Sequence, residues 1–264
     1  MNTASEGATA KVPEVPFCAP RTLRFAGRLT FEGPDTVRKH GVSWRLRREV
    51  EAMEYVRRHT STPIPTIIEV HFDTEDEQSP GWILMERIAG VELGGAWPEM
   101  SEAARAETMR QLHSFFEQLH QLRPKGTMWI GSCSRGPAYD QRLDNRFGCG
   151  PFPTVGEFHD FLVAPVKNCP RPELAAKFRG QLPDTHEIRF AHADFSWENV
   201  LVDPETGHVN GILDWEMAGV WPEWWEYRKA LFGARSQLWW MDVLKEIMAV
   251  YPGETEVDMC LEMY

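Results

Sequence analysis

Between Arg189 and Glu216 the chain reads RFAHADFSWENVLVDPETGHVNGILDWE, and four polar side chains stand out among apolar neighbours: His192, Asp194, Asn199 and Asp214. The residue types suggest a chemistry. An amide and a carboxylate are hard oxygen donors of the sort Mg2+ takes while keeping waters and substrate phosphates, so Asn199 and Asp214 are candidate metal ligands. Asp194 precedes them, close enough to orient or deprotonate a hydroxyl attacking a metal-bound phosphate. The competing reading is a polar loop in front of a surface hairpin.

The elements that must position these groups decide between the two. NVLVD and HVNGILD are apolar-rich strands separated by PETG, which has the Pro and Gly of a hairpin turn. Folding about that turn brings Asn199 roughly opposite Asp214, with Asp194 on the loop entering the first strand. His192, Asp194 and Asn199 also carry the spacing H-x-D-x-x-x-x-N, found with a following Asp in kinase catalytic loops. Spacing and hairpin together favour a phosphoryl-transfer site over a polar loop.

Upstream of this stretch, SWRLRREVEAMEYVRRHT reads as an amphipathic helix with Leu46, Val50, Met53 and Val56 on one stripe. TLRFAGRLTFEGPDTVRKHG reads as short strands broken by Gly and Pro. TPIPTIIEVHFD and GWILMERIAG read as two further strands joined by an acidic turn. After Gly90, SEAARAETMRQLHSFFEQLHQL is a long helix with Ser101 as N-cap, Met109, Leu112, Phe116 and Leu119 facing inward, and Pro124 closing it. A Gly-rich irregular stretch spans about 126–153. TVGEFHDFLVAPV is another helix, and a Trp-rich helical tail follows the quoted site. Strands first and helices later predict an α+β fold in two lobes. The expected division is a loose arm at 1–20, a strand-rich lobe at 21–90 and a helical lobe at 91–264.

Composition bounds the partners. The 264 residues carry a formal charge of −11, which argues against nucleic acid, because a phosphate backbone needs a basic face. It suits a neutral or cationic small substrate. The cysteines, Cys18, Cys133, Cys149, Cys169 and Cys260, are odd in number and contain no C-x-x-C pair, so neither a zinc site nor a disulfide framework is expected. The N-terminus lacks the charged start and apolar run of a secretory signal, and no apolar stretch is long enough to span a bilayer. These features predict a cytoplasmic protein.

FAHADFSWENVLVD…GILDWEMAGVWPEWWEYRKALFGAR, together with STPIPTIIEV, WILMERIAGVELGGAWPEMS and GPFPTVGEFHDFL, resembles the aminoglycoside phosphotransferase/choline kinase superfamily. It is closest to the aminoglycoside phosphotransferase-like enzymes of filamentous fungi, and the likeness runs from about residue 35 almost to the end. The resemblance implies a bilobal protein-kinase-like fold, ATP and Mg2+ as cofactors, and a hydroxyl of a small molecule as acceptor. It implies Asp194 as catalytic base and Asn199 and Asp214 as metal ligands, with His192 supporting the loop. Lys39, in DTVRKHG, stands where the family has its strand lysine. Glu49 is the expected partner of Lys39, because at 100° per residue it falls on the inward stripe whereas Glu51 points away. The competing reading pairs Glu49 with Arg45. Strand alternation puts Arg38 on the face opposite Lys39. WILMERIAG resembles the hinge that meets adenine, placing Glu86 to Ile88 beside the base.

Two departures stand out. No G-x-G-x-x-G precedes Lys39, and His-Ala-Asp replaces the family's usual His-Gly-Asp, which is tolerable unless residue 193 needs positive φ. Beyond Asp214, Glu216, Glu223 and Glu226 lie among Trp215, Trp221, Trp224 and Trp225. They read either as an acceptor pocket for an amine or, preferably, as a buried Trp-rich helix with exposed acids. His113 and His120 could share a helix face, with no third metal ligand in view. The leading reading is a small-molecule kinase. The alternative is a catalytically impaired pseudokinase serving as a binding or regulatory module, favoured by the poor glycine loop and disfavoured by the intact Asp194–Asn199–Asp214 set. A protein kinase is disfavoured, because Asp214 is followed by no D-F-G and no A-P-E segment.

Overall fold

The computed structural model describes residues 28–264 apart from 74, 124, 125, 127, 235 and 236. The expected arm at 1–20, residues 21–27 of the first expected lobe, Cys18 and Pro124 lie outside the described residues. The first third folds as β1 (Leu29–Phe31), β2 (Thr36–Val42), α1 (Ser43–His59), β3 (Ile67–His71) and β4 (Pro80–Glu86). Its four strands form one antiparallel sheet in the order β1-β2-β4-β3, with Lys39 opposite Ile83.

Strand β2 runs into α1 without a side-chain cap. The amides of Ser43 and Trp44 instead donate to the carbonyls of Ser79 and Glu77, which satisfies donors that a helix start leaves unpaired. The apolar stripe of α1 is buried as its period requires: Leu46, Met53 and Val56 lie in the core, and Val50 packs against it.

The rest of the chain comprises β5 (Val91–Glu92), α2 (Leu93–Ala96), α3 (Glu102–Gln121), β6 (Ala138–Asp140), β7 (Asp144–Cys149), α4 (Val155–Val163) and α5 (Glu173–Arg179). It continues with β8 (Ile188–Ala191), β9 (Val200–Val202), β10 (Val209–Ile212), β11 (Gly219–Pro222), α6 (Trp224–Gly233), α7 (Leu238–Ile247) and α8 (Pro252–Leu261). This is the bilobal α+β architecture expected, with a strand-rich sheet followed by a mainly helical part. The stretch read as irregular contains the antiparallel pair β6–β7, which is too short for any period to betray.

Helix α3 starts at Ser101, whose hydroxyl accepts from the Ala104 amide at 3.1 Å. Leu112, Phe116 and Leu119 are buried beneath it, and Met109 packs against the same core. Its Thr108 hydroxyl donates to the Gly207 carbonyl at 2.8 Å, docking the β9–β10 turn onto the helix. Gly207 has φ +76°, and a β-carbon there would collide with the Ala104 carbonyl, so only glycine fits. Strands β9 and β10 pair antiparallel with Val200 opposite Ile212, and β5 adds to the outer side of β9. Strands β8 and β11 pair separately, and their ends carry the chain into and out of the site.

Trp215, Trp221, Trp224 and Trp225 are fully buried. Phe158 of α4 meets Trp225 edge-on at 5.2 Å, so the tryptophan cluster is core. Cys133, Cys169 and Cys260 are thiols outside any disulfide. Among the described residues no helix is long and apolar enough to cross a membrane.

Candidate active site

Strand β8 delivers the chain to His192, Ala193 and Asp194. His192 is buried, with Nε2 3.0 Å from the Leu213 carbonyl, while its Nδ1 accepts from the Asp194 amide at 3.2 Å. Burial pushes the imidazole down to about 4, so the neutral ring donates on one side and accepts on the other. It ties the loop to the strand end before Asp214 and has no free nitrogen for chemistry.

Ala193 has φ 59°. The condition under which alanine would not be innocuous is therefore met: this position needs the left-handed region, where a β-carbon costs about 1–2 kcal/mol. Asp214 shares that region at φ 63°, but aspartate tolerates it better.

Among the described residues no side chain donates to the Asp194 carboxylate, which leaves it open to a hydroxyl. Burial raises its affinity for a proton, the Asp214 charge adds to this, and the Lys229 ammonium opposes it. Asn199 donates its amide NH2 to the Asp194 carbonyl at 2.9 Å, which fixes the amide and leaves its oxygen as the acceptor atom. The Leu213 amide donates to the Asn199 carbonyl at 2.8 Å, so Asp214 lies one residue past the position opposite Asn199. The strand register therefore puts Asn199 and Asp214 at the same end of the hairpin.

Lys39 reaches across from β2. Its Nζ lies 2.7 Å from Glu49, 2.7 Å from Asp214 Oδ1 and 3.9 Å from Glu216. Lys39 and Glu49 are both almost fully buried. Arg45 instead hydrogen-bonds the Tyr139 hydroxyl at 3.1 Å, which removes the competing pairing for Glu49. Arg38 lies on the other face, over the Trp82 ring and paired with Glu32.

Two carboxylates share the one ammonium unequally. Burial pushes Asp214 up, but Lys39, by charge and hydrogen bond, and then Arg28 outweigh it and hold Asp214 below the usual range. Burial, with Asp214 and Glu216 adding repulsion, wins at Glu49 and raises it. Burial also works against the Lys39 charge, but the three carboxylates overcome it and keep the ammonium protonated.

Glu216 belongs to this cluster and is buried, which corrects the preferred expectation of an exposed acid and also removes it from an acceptor pocket. It receives Arg28 through both oxygens, at 2.6 and 3.2 Å. Carboxylate oxygens of Glu49, Asp214 and Glu216 lie within 4.8 Å of one another. These carboxylates, and the Asn199 amide oxygen at the same end of the hairpin, are all hard-oxygen donors of the kind Mg2+ takes.

The other acids are also engaged rather than exposed. Glu223 accepts from the Glu187 amide at 3.2 Å and bonds His186, and Glu226 is buried and accepts from the His192 amide at 2.5 Å. None of the three therefore presents a spare carboxylate to an amine. His113 contacts the Ile247 carbonyl, and among the described residues the one metal-capable cluster is Glu49, Asp214 and Glu216.

Glu86 and Ile88 lie apart from the ion cluster, where the chain leaves β4. The Glu86 carboxylate accepts from the Thr66 amide and hydroxyl at 3.1 and 2.8 Å, and Ile88 packs over Gly211 of β10. At this crossing the backbone, and not the Glu86 side chain, is what a base could meet.

Buried ion pairs escaped the sequence reading, among them Arg228 with Asp258 at 2.7 Å. Lys229 of α6 lies 3.1 Å from Asp140 of β6, whose other oxygen accepts from the Trp225 indole at 3.2 Å. A lysine inside WWEYRKALFG was the available signal, because a cation that deep needs a partner.

Residues 37–258 match the model of the phosphotransferase enzyme family. An aminoglycoside 3′-phosphotransferase of Streptomyces ribosidificus is 24% identical over 198 residues, covering 72% of this chain and 68% of the relative. Its counterpart from Streptomyces fradiae is 26% identical over 174 residues, covering 65% of this chain but only 58% of the relative. Among solved structures, an aminoglycoside phosphotransferase of Streptomyces rimosus in complex with ADP and streptomycin superposes with a TM-score of 0.54 at 14% identity, covering 87% of each chain.

Proposed function

This chain belongs to the phosphotransferase enzyme family, and we propose that it is an ATP- and Mg2+-dependent kinase that moves the γ-phosphate to a hydroxyl of a small molecule. The observation that carries this is the convergence of Lys39, Glu49 and Asp214 within 2.7 Å contacts, with an Asp194 carboxylate that, among the described residues, no side chain occupies. The ADP and streptomycin found with the Streptomyces rimosus relative support a nucleotide on one side of the cleft and a polyhydroxylated acceptor on the other.

In this reading Asp214 and the Asn199 amide oxygen would hold Mg2+, which would supply charge neutralisation at the phosphates. Lys39 turns from Asp214 toward the phosphate oxygens while Glu49 keeps it in place. The backbone between Glu86 and Ile88 meets the base. Asp194 accepts the hydrogen bond of the acceptor hydroxyl, orients its lone pair toward phosphorus and takes the proton as the bond forms. His192, neutral and doubly bonded, holds Asp194 in that pose.

The test is calorimetric titration with ATP, with and without magnesium, followed by transfer assays on probe alcohols such as kanamycin, streptomycin and choline. Magnesium-dependent binding with transfer to at least one hydroxyl is the expected result. No binding at millimolar nucleotide would overturn the reading and favour a binding module.

A further inference from the structure

Lys39 shares the carboxylate cluster with a second cation. Arg28, where the chain enters β1, sends both terminal nitrogens of its guanidinium to Glu216, Nη2 to Oε2 at 2.6 Å and Nη1 to Oε1 at 3.2 Å. Lys39 Nζ lies 3.9 Å from the same Oε2, so two cations from neighbouring chain segments converge on one carboxylate oxygen. They are held differently. The Lys39 side chain is 5% exposed and clasped by Glu49 and Asp214, whereas that of Arg28 is 28% exposed. The Arg28 backbone is fixed, because its carbonyl accepts from the His40 amide at 2.6 Å. Among the described residues the other hydrogen bond of the guanidinium is long, 3.4 Å from Nε to the His40 carbonyl. The fork can therefore swing about a fixed backbone without opening the core.

A departure in the sequence gives this arrangement a use. No G-x-G-x-x-G precedes Lys39, so the phosphate cover that such a loop provides in kinases is not supplied by that motif. A guanidinium presents its donors in a planar fork that matches the paired oxygens of a carboxylate and those of a phosphate alike. We propose that Arg28 is a phosphate clamp that exchanges between Glu216 and the outer phosphates of the nucleotide, with Glu216 as the built-in competitor that sets how readily the clamp is released. The nucleotide as ligand rests on the kinase reading; a polyphosphate site formed by Arg28 and Lys39 does not. The Glu216 carboxylate left behind stays in the hard-oxygen cluster, where a divalent cation would offset its charge.

Calorimetric titrations with adenosine, ATP and inorganic tripolyphosphate, in chelator and again in magnesium, test both halves. Arg28→Ala is expected to weaken ATP and tripolyphosphate about 10- to 100-fold, the loss for a charge-assisted fork, while adenosine, which carries no phosphate, changes less than about threefold. Glu216→Gln, measured in chelator so that metal plays no part, is expected to tighten tripolyphosphate about fivefold or more when Arg28 is present and less than about twofold when it is combined with Arg28→Ala, since the competitor then has nothing to release.

Unchanged ATP affinity in Arg28→Ala, or equal weakening of adenosine and ATP, would mean that the pair with Glu216 is a structural tie and would overturn the clamp. Tighter ATP in Arg28→Ala would mean that the guanidinium obstructs the site, and would overturn it too. Equal tightening by Glu216→Gln with and without Arg28 would overturn the exchange. Should Arg28→Ala not fold, Arg28→Gln, which keeps a polar stem without the charge, takes its place: a loss for ATP over adenosine of at least about fivefold sustains the proposal and a smaller one overturns it. Should the parent bind tripolyphosphate through Arg28 but not ATP, the kinase reading fails and the clamp stands. If it binds neither, both fall.

Discussion

Lys39→Met probes the ion cluster without any need for turnover. Each 2.7 Å contact of the ammonium, to Glu49 and to Asp214, is worth on the order of 6 kcal/mol gross at an effective dielectric of about 20. Deleting the ammonium also removes the cost of burying it, which is several kcal/mol for an ion this deep. The net loss expected is about 3–5 kcal/mol, the range for breaking one side of a buried pair. It must also depend on pH. Glu49 already titrates above its ordinary value because of burial and its neighbouring carboxylates, and without Lys39 it climbs further. A carboxyl whose folded pKa lies above its unfolded one binds extra protons when folded, so stability falls as pH rises through that window. The gap between parent and variant should therefore widen between about pH 6 and about pH 8.5, read by urea unfolding in the presence of a chelator. A loss below about 1 kcal/mol at the higher pH, or a gap that does not change with pH, would refute the shared-ammonium argument.

Three further outcomes are expected. Asp194→Ala abolishes phosphoryl transfer while calorimetry still detects Mg·ATP; unchanged transfer removes Asp194 from its role. Asp214→Ala weakens nucleotide binding only when magnesium is present, since Lys39 and the hinge backbone remain; persistent magnesium-dependent affinity counts against the hairpin metal site. Gly207→Ala forces a β-carbon against the Ala104 carbonyl at positive φ and costs about 2–4 kcal/mol in thermal or urea unfolding; a neutral result means the turn is free to move off α3.

Much of the fold was legible because its periods are regular. The stripe of α1 located the helix and the face on which Glu49 sits, and strand alternation separated Lys39 from Arg38. The hairpin flanking PETG placed Asn199 near Asp214 because two-residue alternation and a strong turn leave little choice of register. What escaped was set by contacts distant in sequence. Glu216 looked like one more acid in a tryptophan-rich segment, and Arg28, just ahead of β1, together with Lys39 of β2 draws it into the cluster. Lys229 and Asp140 each look ordinary in isolation. The left-handed Ala193 could not be inferred from alanine itself, a residue that rarely takes positive φ.

The separations within the cluster give it an order in time. Lys39 and Glu49 are 10 positions apart, whereas Lys39 and Asp214 are 175 apart and Arg28 and Glu216 are 188 apart. At a synthesis rate of about 5–20 residues per second, the first pair is complete roughly 8–33 seconds before Asp214 emerges. During that interval a nascent first lobe can close a one-to-one ion pair by local contacts alone. The arrival of Asp214 and Glu216 then redistributes that ammonium among three acids and brings Arg28 into the cluster. A chain stopped short of residue 214 keeps the early pair and lacks the later acids that give it a use, so the nucleotide side of the cleft is completed only once Asp214 and Glu216 have been made.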